Sequence, residues 1–145
     1  MKIIHSFSIA MVSLLLVNCS PQAKKKDIGN AKDPVEEGYS LIFFTLDNYA
    51  LVFVDDSLAF DTREVKAGTK DEVLVDLNPF ITGNDSVVKV EGYNTECNSC
   101  QVNNYEFVYE IYRDGEGIEY VSEYSNHKHQ PTGLRLTRTH YLEEL

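Results

Sequence analysis

The sequence has few basic side chains, and several of these stand near its start. Its 145 residues include 13 Lys and Arg against 23 Asp and Glu, a formal net charge of −10. From residue 33 onward, 8 basic side chains face 22 acidic ones, which gives a net charge of −14. So acidic a surface repels phosphate backbones. The composition therefore argues against nucleic-acid binding and favours a cation or a basic protein partner, with solubility alone as the simpler explanation.

Signatures of common enzymes are also missing. The chain has no G-x-S-x-G elbow for a serine nucleophile, no H-E-x-x-H zinc helix, and no glycine-rich loop leading into a helix. Paired carboxylates occur by chance in a chain with 23 acidic residues. The sequence therefore predicts a protein that is not an enzyme and that holds no cofactor and no metal.

A run long enough to span a membrane is absent as well. The longest apolar run covers residues 9–17 and follows Lys2. A spanning helix needs about 20 apolar residues, whereas a run of this length after a positive start is typical of a signal peptide. We therefore expect residues 1–18 to be a targeting segment.

An apolar residue, Leu16, stands three positions before Cys19, with Val17 and Asn18 between them. This arrangement resembles a lipobox, the recognition site of lipoprotein signal peptidase. Leu16, Val17 and Cys19 match its pattern, and Asn18 departs from it because a small residue is usual there. The resemblance implies a bacterial lipoprotein with an acylated Cys19. Ser20 resembles the outer-membrane sorting signal. A multiply acylated cysteine anchors durably, since each buried methylene contributes about 0.8 kcal/mol.

The composition changes twice along the remainder of the chain. Residues 19–37 are polar, hold two prolines and include Lys24, Lys25 and Lys26, so we expect a flexible linker. Its lysines either keep the linker soluble or contact anionic head groups. Residues 38–145 form the single domain that the chain length allows.

This domain shows strand signals throughout and no helical period. The strands are expected at 39–46, 50–54, 60–65, 72–77, 86–93, 105–113, 118–124 and 134–142. Residues 39–46 are apolar on both faces, which predicts a central buried strand. Asp114-Gly115 is typical of a type I′ hairpin turn. Many short strands separated by turn residues predict an all-β, antiparallel sandwich of jelly-roll or immunoglobulin-like topology.

A stretch of about forty residues carries a pattern formed by Asp76, Leu77, Phe80, Ile81, Gly83, Val87 and Val90. This stretch is similar to the middle of galactose-binding-like jelly-roll domains. Two places depart from the pattern of that family: Asp85 stands where the family prefers Asn, and Asp55-Asp56 replaces an Asn-Gly turn. The resemblance implies a packing motif of a sandwich fold and no particular ligand. Such domains often present tryptophans to sugars, and this chain has none, which argues against carbohydrate binding.

Cys97 and Cys100 are the sharpest local feature of the domain. In an exported protein two neighbouring cysteines are expected to pair, so we predict a disulfide that closes a loop. A thioredoxin-like site is disfavoured because the flanking residues predict a loop and no helix. A zinc half-site completed by His127 and His129 is a further alternative, against which a solvated histidine pair is favoured.

The last hairpin predicts a candidate acidic surface. Counting outward from a two-residue turn at 114–115 pairs Ile111 with Ile118 and buries the tyrosines on one face. On the opposite face, carboxylates of the two strands then lie directly across from each other. Solvation, a basic partner surface or a divalent cation would have to offset their repulsion. The acidic patch on the other face comprises Glu106, Glu110, Glu119 and Glu123.

Together these patterns favour a non-enzymatic binding or interaction lipoprotein of the bacterial envelope, anchored in the outer membrane. One alternative is an acidic inhibitor or immunity lipoprotein that neutralises a basic enzyme, similar in concept to periplasmic lysozyme inhibitors. Another is an envelope assembly or scaffold component.

The anchor is tested by replacing the acylated residue. Cys19→Ala is expected to leave the chain unprocessed or soluble, because the lipobox-like segment then has no thiol to be lipidated. Cell fractions washed at high salt and probed by immunoblotting report the distribution, with Cys97→Ala as the control that stays in the membrane fraction. A Cys19→Ala protein that still sediments with membranes after the wash would contradict the assignment.

Overall fold

The computed structural model describes residues 33–46, 48–65, 72–126 and 129–145. Within these ranges no helix has the length and hydropathy needed to cross a bilayer. The two 3-10 turns are Thr62–Glu64 and Leu142–Glu144. The strands of the described residues are β1 (Tyr39–Leu46), β2 (Tyr49–Val54), β3 (Ser57–Asp61), β4 (Val73–Asp76), β5 (Val87–Asn94), β6 (Glu106–Arg113), β7 (Glu116–Tyr124) and β8 (Gly133–Tyr141).

These strands form the predicted all-β sandwich. Sheet A has the order β4-β1-β6-β7 and sheet B has the order β3-β2-β5-β8, and all pairings are antiparallel. Only β2–β3 and β6–β7 are hairpins, so the chain crosses between the sheets at the other five of its seven connections. β1 lies between β4 and β6, which confirms the prediction of a central strand.

Alternation of side chains builds the core between the sheets. In β2 and β5 every second residue is buried, as expected when one face of a strand contacts a core and the other faces water. Gly92 lies on the inner face of β5, where an added Cβ would lie 2.8 Å from the ring of Phe107 in sheet A. The glycine therefore lets the two sheets approach closely at this point.

Tight turns set the two hairpins. Asp114-Gly115 has φ angles of 52° and 80°, as a type I′ turn requires, and Asp55-Asp56 adopts the same region with 49° and 61°. The Val87 N–H donates to the Asp55 carboxylate at 2.8 Å and the Ser86 hydroxyl donates at 2.9 Å, and these bonds lower the pKa of Asp55. Asp55 thus ties the β2–β3 turn to the start of β5.

The early turn explains why the third strand lies elsewhere than predicted. We expected a strand at 60–65, whereas β3 begins at Ser57, because the two-residue turn returns the chain at once. Residues 62–64 form instead a 3-10 turn in which the Asp61 carboxylate accepts from the Arg63 N–H.

The prediction that residues 39–46 are buried on both faces is correct for Ile42 and wrong for Phe44. Ile42 is 1% exposed on the face opposite to the core. Phe43 pairs with Tyr109 and Thr45 with Val108, so Phe44 is the extra residue of a β-bulge. As a result Phe44 is 36% exposed whereas Phe43 is 1% exposed.

The sandwich has two distinct ends. At the tether end, where the chain enters β1, the Gly38 N–H donates to the Asp114 side chain at 2.7 Å, and the Arg113 guanidinium donates to the Leu145 carbonyl at 3.2 Å. At the far end, Asn48 donates to Asn94 and shares this end with the disulfide loop. The segment 1–32, including Cys19, lies outside the described residues.

The two phenylalanines of β1 offer a matched test of this packing. Phe43→Asp buries a charge without a partner and should cost several kcal/mol, comparable with the total stability of a small domain. Phe44→Asp should change the free energy of unfolding by only about 1 kcal/mol or less, as exposed substitutions do. Circular dichroism and thermal melting of both variants check this. Equal loss of stability in the two variants would contradict the bulge.

Candidate functional site on the outer face of sheet A

A β-bulge in the last hairpin decides which side chains this surface carries. Arg113 pairs with Glu116 as predicted, but Ile111 pairs with Glu119, so Ile118 is an extra residue of β7. A one-residue slip turns every following side chain to the other face. The predicted pairing of Ile111 with Ile118 is therefore wrong, and Glu110 faces Tyr120 across the hairpin.

The predicted acidic patch of four opposed carboxylates consequently does not exist as one surface. Glu106 and Glu110 lie on the outer face, since Phe107, Tyr109 and Ile111 between and beside them are buried in the core. Glu119 and Glu123 pair with Ile111 and Phe107, so their side chains turn toward sheet B.

Those two inward carboxylates connect the terminal strands β7 and β8. Glu119 accepts from His140 Nδ1 at 2.6 Å, and Glu123 accepts from the Arg138 guanidinium at 3.1 Å. Because a carboxylate only accepts, the neutral imidazole carries its proton on Nδ1. His140 Nε2 then accepts from the Tyr109 hydroxyl at 2.8 Å. This series of side-chain hydrogen bonds, from Tyr109 through His140 to Glu119, thus links β6, β8 and β7.

Burial gives this series of hydrogen bonds a structural role. Tyr109 is fully buried and His140 is 3% exposed, so no substrate reaches the phenol. Burial, together with the Glu119 carboxylate, raises the pKa of Tyr109 above its ordinary range and keeps the hydroxyl protonated as a donor. This contact was not predicted from the sequence. The signal that could have found it is the alternation Leu136, Arg138, His140 in β8, which points His140 toward the core.

The outer face of sheet A carries tyrosines where the acidic patch was expected. We define the tyrosine face as the outward side chains of β6 and β7 that are half-buried or exposed. Tyr120 is 61% exposed and Tyr124 is 57% exposed. Its members are Glu106, Glu110, Tyr112, Tyr120, Ser122 and Tyr124, as the cross-strand pairs fix them.

Glu110 is held in place within this face. It accepts from the Tyr112 hydroxyl at 2.5 Å and lies against Gly117, where an added Cβ would overlap its carboxylate. Partial burial and this hydrogen bond raise the pKa of Tyr112 to about 12. Glu106 forms no ion pair or hydrogen bond with the described part of the chain through its carboxylate.

Basic side chains are absent from the described part of the tyrosine face. The strands of sheet A contain one basic residue, Arg113, which lies over the Tyr39 ring at 6.0 Å and donates to Leu145. On sheet B, by contrast, the Arg63 guanidinium binds the Asp61 carboxylate at 2.6 Å, and Lys89 lies 3.5 Å from Glu91. The two outer faces therefore differ in charge balance.

The predicted disulfide is present in the structure. Cys97 and Cys100 are bonded, with Cα atoms 5.4 Å apart, and the Cys100 N–H donates to the Cys97 carbonyl across the turn. His129 Nδ1 accepts from the Asn103 N–H at 3.2 Å, and His127 lies outside the described residues. Bonded sulfurs are not thiolate ligands, and within the described ranges no cluster of His, Cys, Asp and Glu could hold a metal ion.

Two cavities lie at opposite ends of the domain. One of about 510 Å³ lies at the tether end beside Arg113, Asp114 and Leu142. One of about 260 Å³ lies at the far end of the tyrosine face, between Glu106 and Tyr124. The second cavity belongs to the tyrosine face, whose carboxylates have no basic partner among the residues that the structure describes.

Comparisons with protein-family models, with curated proteins and with solved structures find no match to this chain.

The Tyr109 contact predicts a pH-dependent variant. Tyr109→Phe should lower the free energy of unfolding at pH 7 by about 1–3 kcal/mol, since it leaves the buried His140 Nε2 without its donor. Above about pH 10 the unfolded chain loses the phenol proton while the folded chain keeps it. The stability due to the raised pKa therefore falls as pH rises.

The difference between the wild type and Tyr109→Phe should accordingly shrink from pH 7 to pH 11 in urea denaturation. Tyr141→Phe, which removes an exposed hydroxyl next to His140, serves as the control and should track the wild type. A difference that stays constant with pH would contradict this account of Tyr109.

Proposed function

We propose that this protein is a non-enzymatic binding lipoprotein of the bacterial envelope that docks a basic protein partner on its tyrosine face. The observation that carries the proposal is the combination on one sheet face of exposed tyrosines and carboxylates with no basic side chain among the described residues. On sheet B, basic side chains of the same sheet neutralise the carboxylates. The carboxylates of the tyrosine face would instead be neutralised by basic side chains of a partner.

The aromatic content of the face supports a protein as the partner. Tyrosine is enriched at protein interfaces because it contributes a large contact area with little loss of side-chain entropy. Tyr120 and Tyr124 alternate with Ser122 along β7 and are presented by a rigid strand. Ile42 and Val108 lie beneath the same face and are nearly fully buried, so the tyrosines have a packed base.

The charge of the domain supports a basic partner. A net charge of −14 after residue 32 attracts a cationic surface from a distance and raises the rate of association at low salt. Glu106 contributes directly, because no described cation neutralises it. Binding should therefore weaken as the salt concentration rises.

The proposed anchor and the face have a consistent geometry. The linker would join the domain at the tether end, beside Gly38 and Asp114. β7 runs from there to Tyr124 over nine residues, a distance of about 25–30 Å. The far part of the tyrosine face would then stand away from the membrane surface.

A second candidate is the inhibitor or immunity lipoprotein that neutralises a basic enzyme. The same acidic charge favours it, and it uses the same face. An activity assay of a basic lysozyme with and without the purified domain separates the two: binding without inhibition supports a docking module, and stoichiometric inhibition supports the inhibitor.

Site-specific cross-linking tests the proposal in cells. A photoreactive phenylalanine analogue at Tyr120 of the full chain should give a discrete covalent adduct with a basic protein, identified by mass spectrometry. The matched control is Tyr141, which is 50% exposed on sheet B and should give none. Absence of adducts at Tyr120, or the same adducts from Tyr141, would contradict docking on the tyrosine face.

A further inference from the structure

The cavity at the far end of the tyrosine face has a rigid frame. The Ser125 N–H donates to the Tyr105 carbonyl and the Tyr105 N–H donates to the Ser125 hydroxyl oxygen, both at 3.1 Å. The Tyr105 ring packs on the core residue Phe107 with centroids 5.6 Å apart. Tyr105 and Ser125 are therefore held in place before any ligand arrives.

The size of the cavity fits one side chain. Its volume of about 260 Å³ lies below the range of about 300–1,000 Å³ that is typical of small-molecule sites. The surrounding groups are mostly polar: Tyr105, Glu106, Ser122, Tyr124, Ser125 and Asn126 contribute to the lining.

Glu106 and Tyr124 define the chemistry of the cavity. They are directly opposed partners of the β6–β7 ladder and both line the cavity, so its lining includes a carboxylate and an aromatic ring. A carboxylate binds a guanidinium through parallel hydrogen bonds, and the face of an aromatic ring attracts the same cation. The pair therefore matches a planar cation that can stack and donate at once.

The fold already contains one complete arrangement of this kind. Arg63 lies 4.5 Å above the Tyr49 ring, and its Nε and Nη2 donate to the Asp61 carboxylate at 2.9 Å and 2.6 Å. Asp61, Arg63 and Tyr49 thus supply carboxylate, cation and ring. Glu106 and Tyr124 repeat the carboxylate and the ring, and no described cation stands between them.

We infer that this cavity is the subsite for an arginine side chain of the basic protein that docks on the tyrosine face. The inference rests on the proposed function and names the chemistry that its far end recognises. Arginine is favoured over lysine because its planar fork binds a carboxylate bidentately and stacks on a ring, whereas an ammonium group is a compact and strongly hydrated charge.

The test uses the purified full chain at low salt. Fluorescence anisotropy compares its binding of two labelled peptides of equal charge, hexa-arginine and hexa-lysine. Hexa-arginine should bind about three- to fivefold more tightly, as a cation–π contact contributes. Glu106→Gln and Tyr124→Ser should each abolish this preference, while Tyr124→Phe, which keeps the ring, should retain most of it.

Glu116→Gln is the matched control, since it removes an exposed carboxylate at the opposite end of β7 and should lower both affinities without changing their ratio. Equal affinity of the two peptides, or a ratio unchanged by Glu106→Gln, would overturn the arginine subsite and leave the proposed function standing. Free agmatine binding as tightly as the peptide would overturn the assignment to a protein side chain. Failure of both peptides to bind would contradict the proposed function itself.

Discussion

One extra residue in β7 determines which side chains of the last hairpin face the solvent and which face sheet B. The bulge at Ile118 shifts the pairing of the last hairpin by one position, and side chains in a strand alternate strictly between faces. Beyond the bulge, Glu119 and Glu123 therefore turn inward to sheet B, and Tyr120 and Tyr124 turn outward. Without the extra residue the carboxylates would line the surface and the tyrosines would face the core.

The inward carboxylates protect the free sheet edges that every open sandwich has. β7 and β8 are the terminal strands of their sheets, and free edges of nine residues invite pairing with other chains. The contacts Glu119–His140 and Glu123–Arg138 span the gap between these strands. The Glu123–Arg138 ion pair is partly exposed, and such pairs contribute about 0–1 kcal/mol, so the hydrogen bonds of the buried His140 to Tyr109 and Glu119 are the stronger part of the closure.

Much of the fold follows from the sequence, because apolar alternation and turn residues are local signals. The central strand β1, the type I′ turn at Asp114-Gly115 and the sandwich class were all predicted. Bulges were not, since an extra residue leaves the apolar count almost unchanged. An isolated glycine within a strand pattern often marks a bulge, and Gly117 stands next to Ile118, whereas no glycine marks the bulge at Phe44. The prediction of an acidic patch was wrong for this reason alone. Its four residues lie on the hairpin as predicted, but they do not share one face.

The register of the β6–β7 hairpin is the claim on which the tyrosine face, the closure by His140 and the arginine subsite all depend. Paired cysteines measure it directly, since a disulfide needs Cα atoms within about 4.4–6.8 Å. The double variant Glu110→Cys with Tyr120→Cys should form a new disulfide under mild oxidation, seen as the loss of two hydrogens in the intact mass. The variant Glu110→Cys with Glu119→Cys should remain a dithiol at these positions. The reverse outcome would show a hairpin without the bulge and would contradict the account.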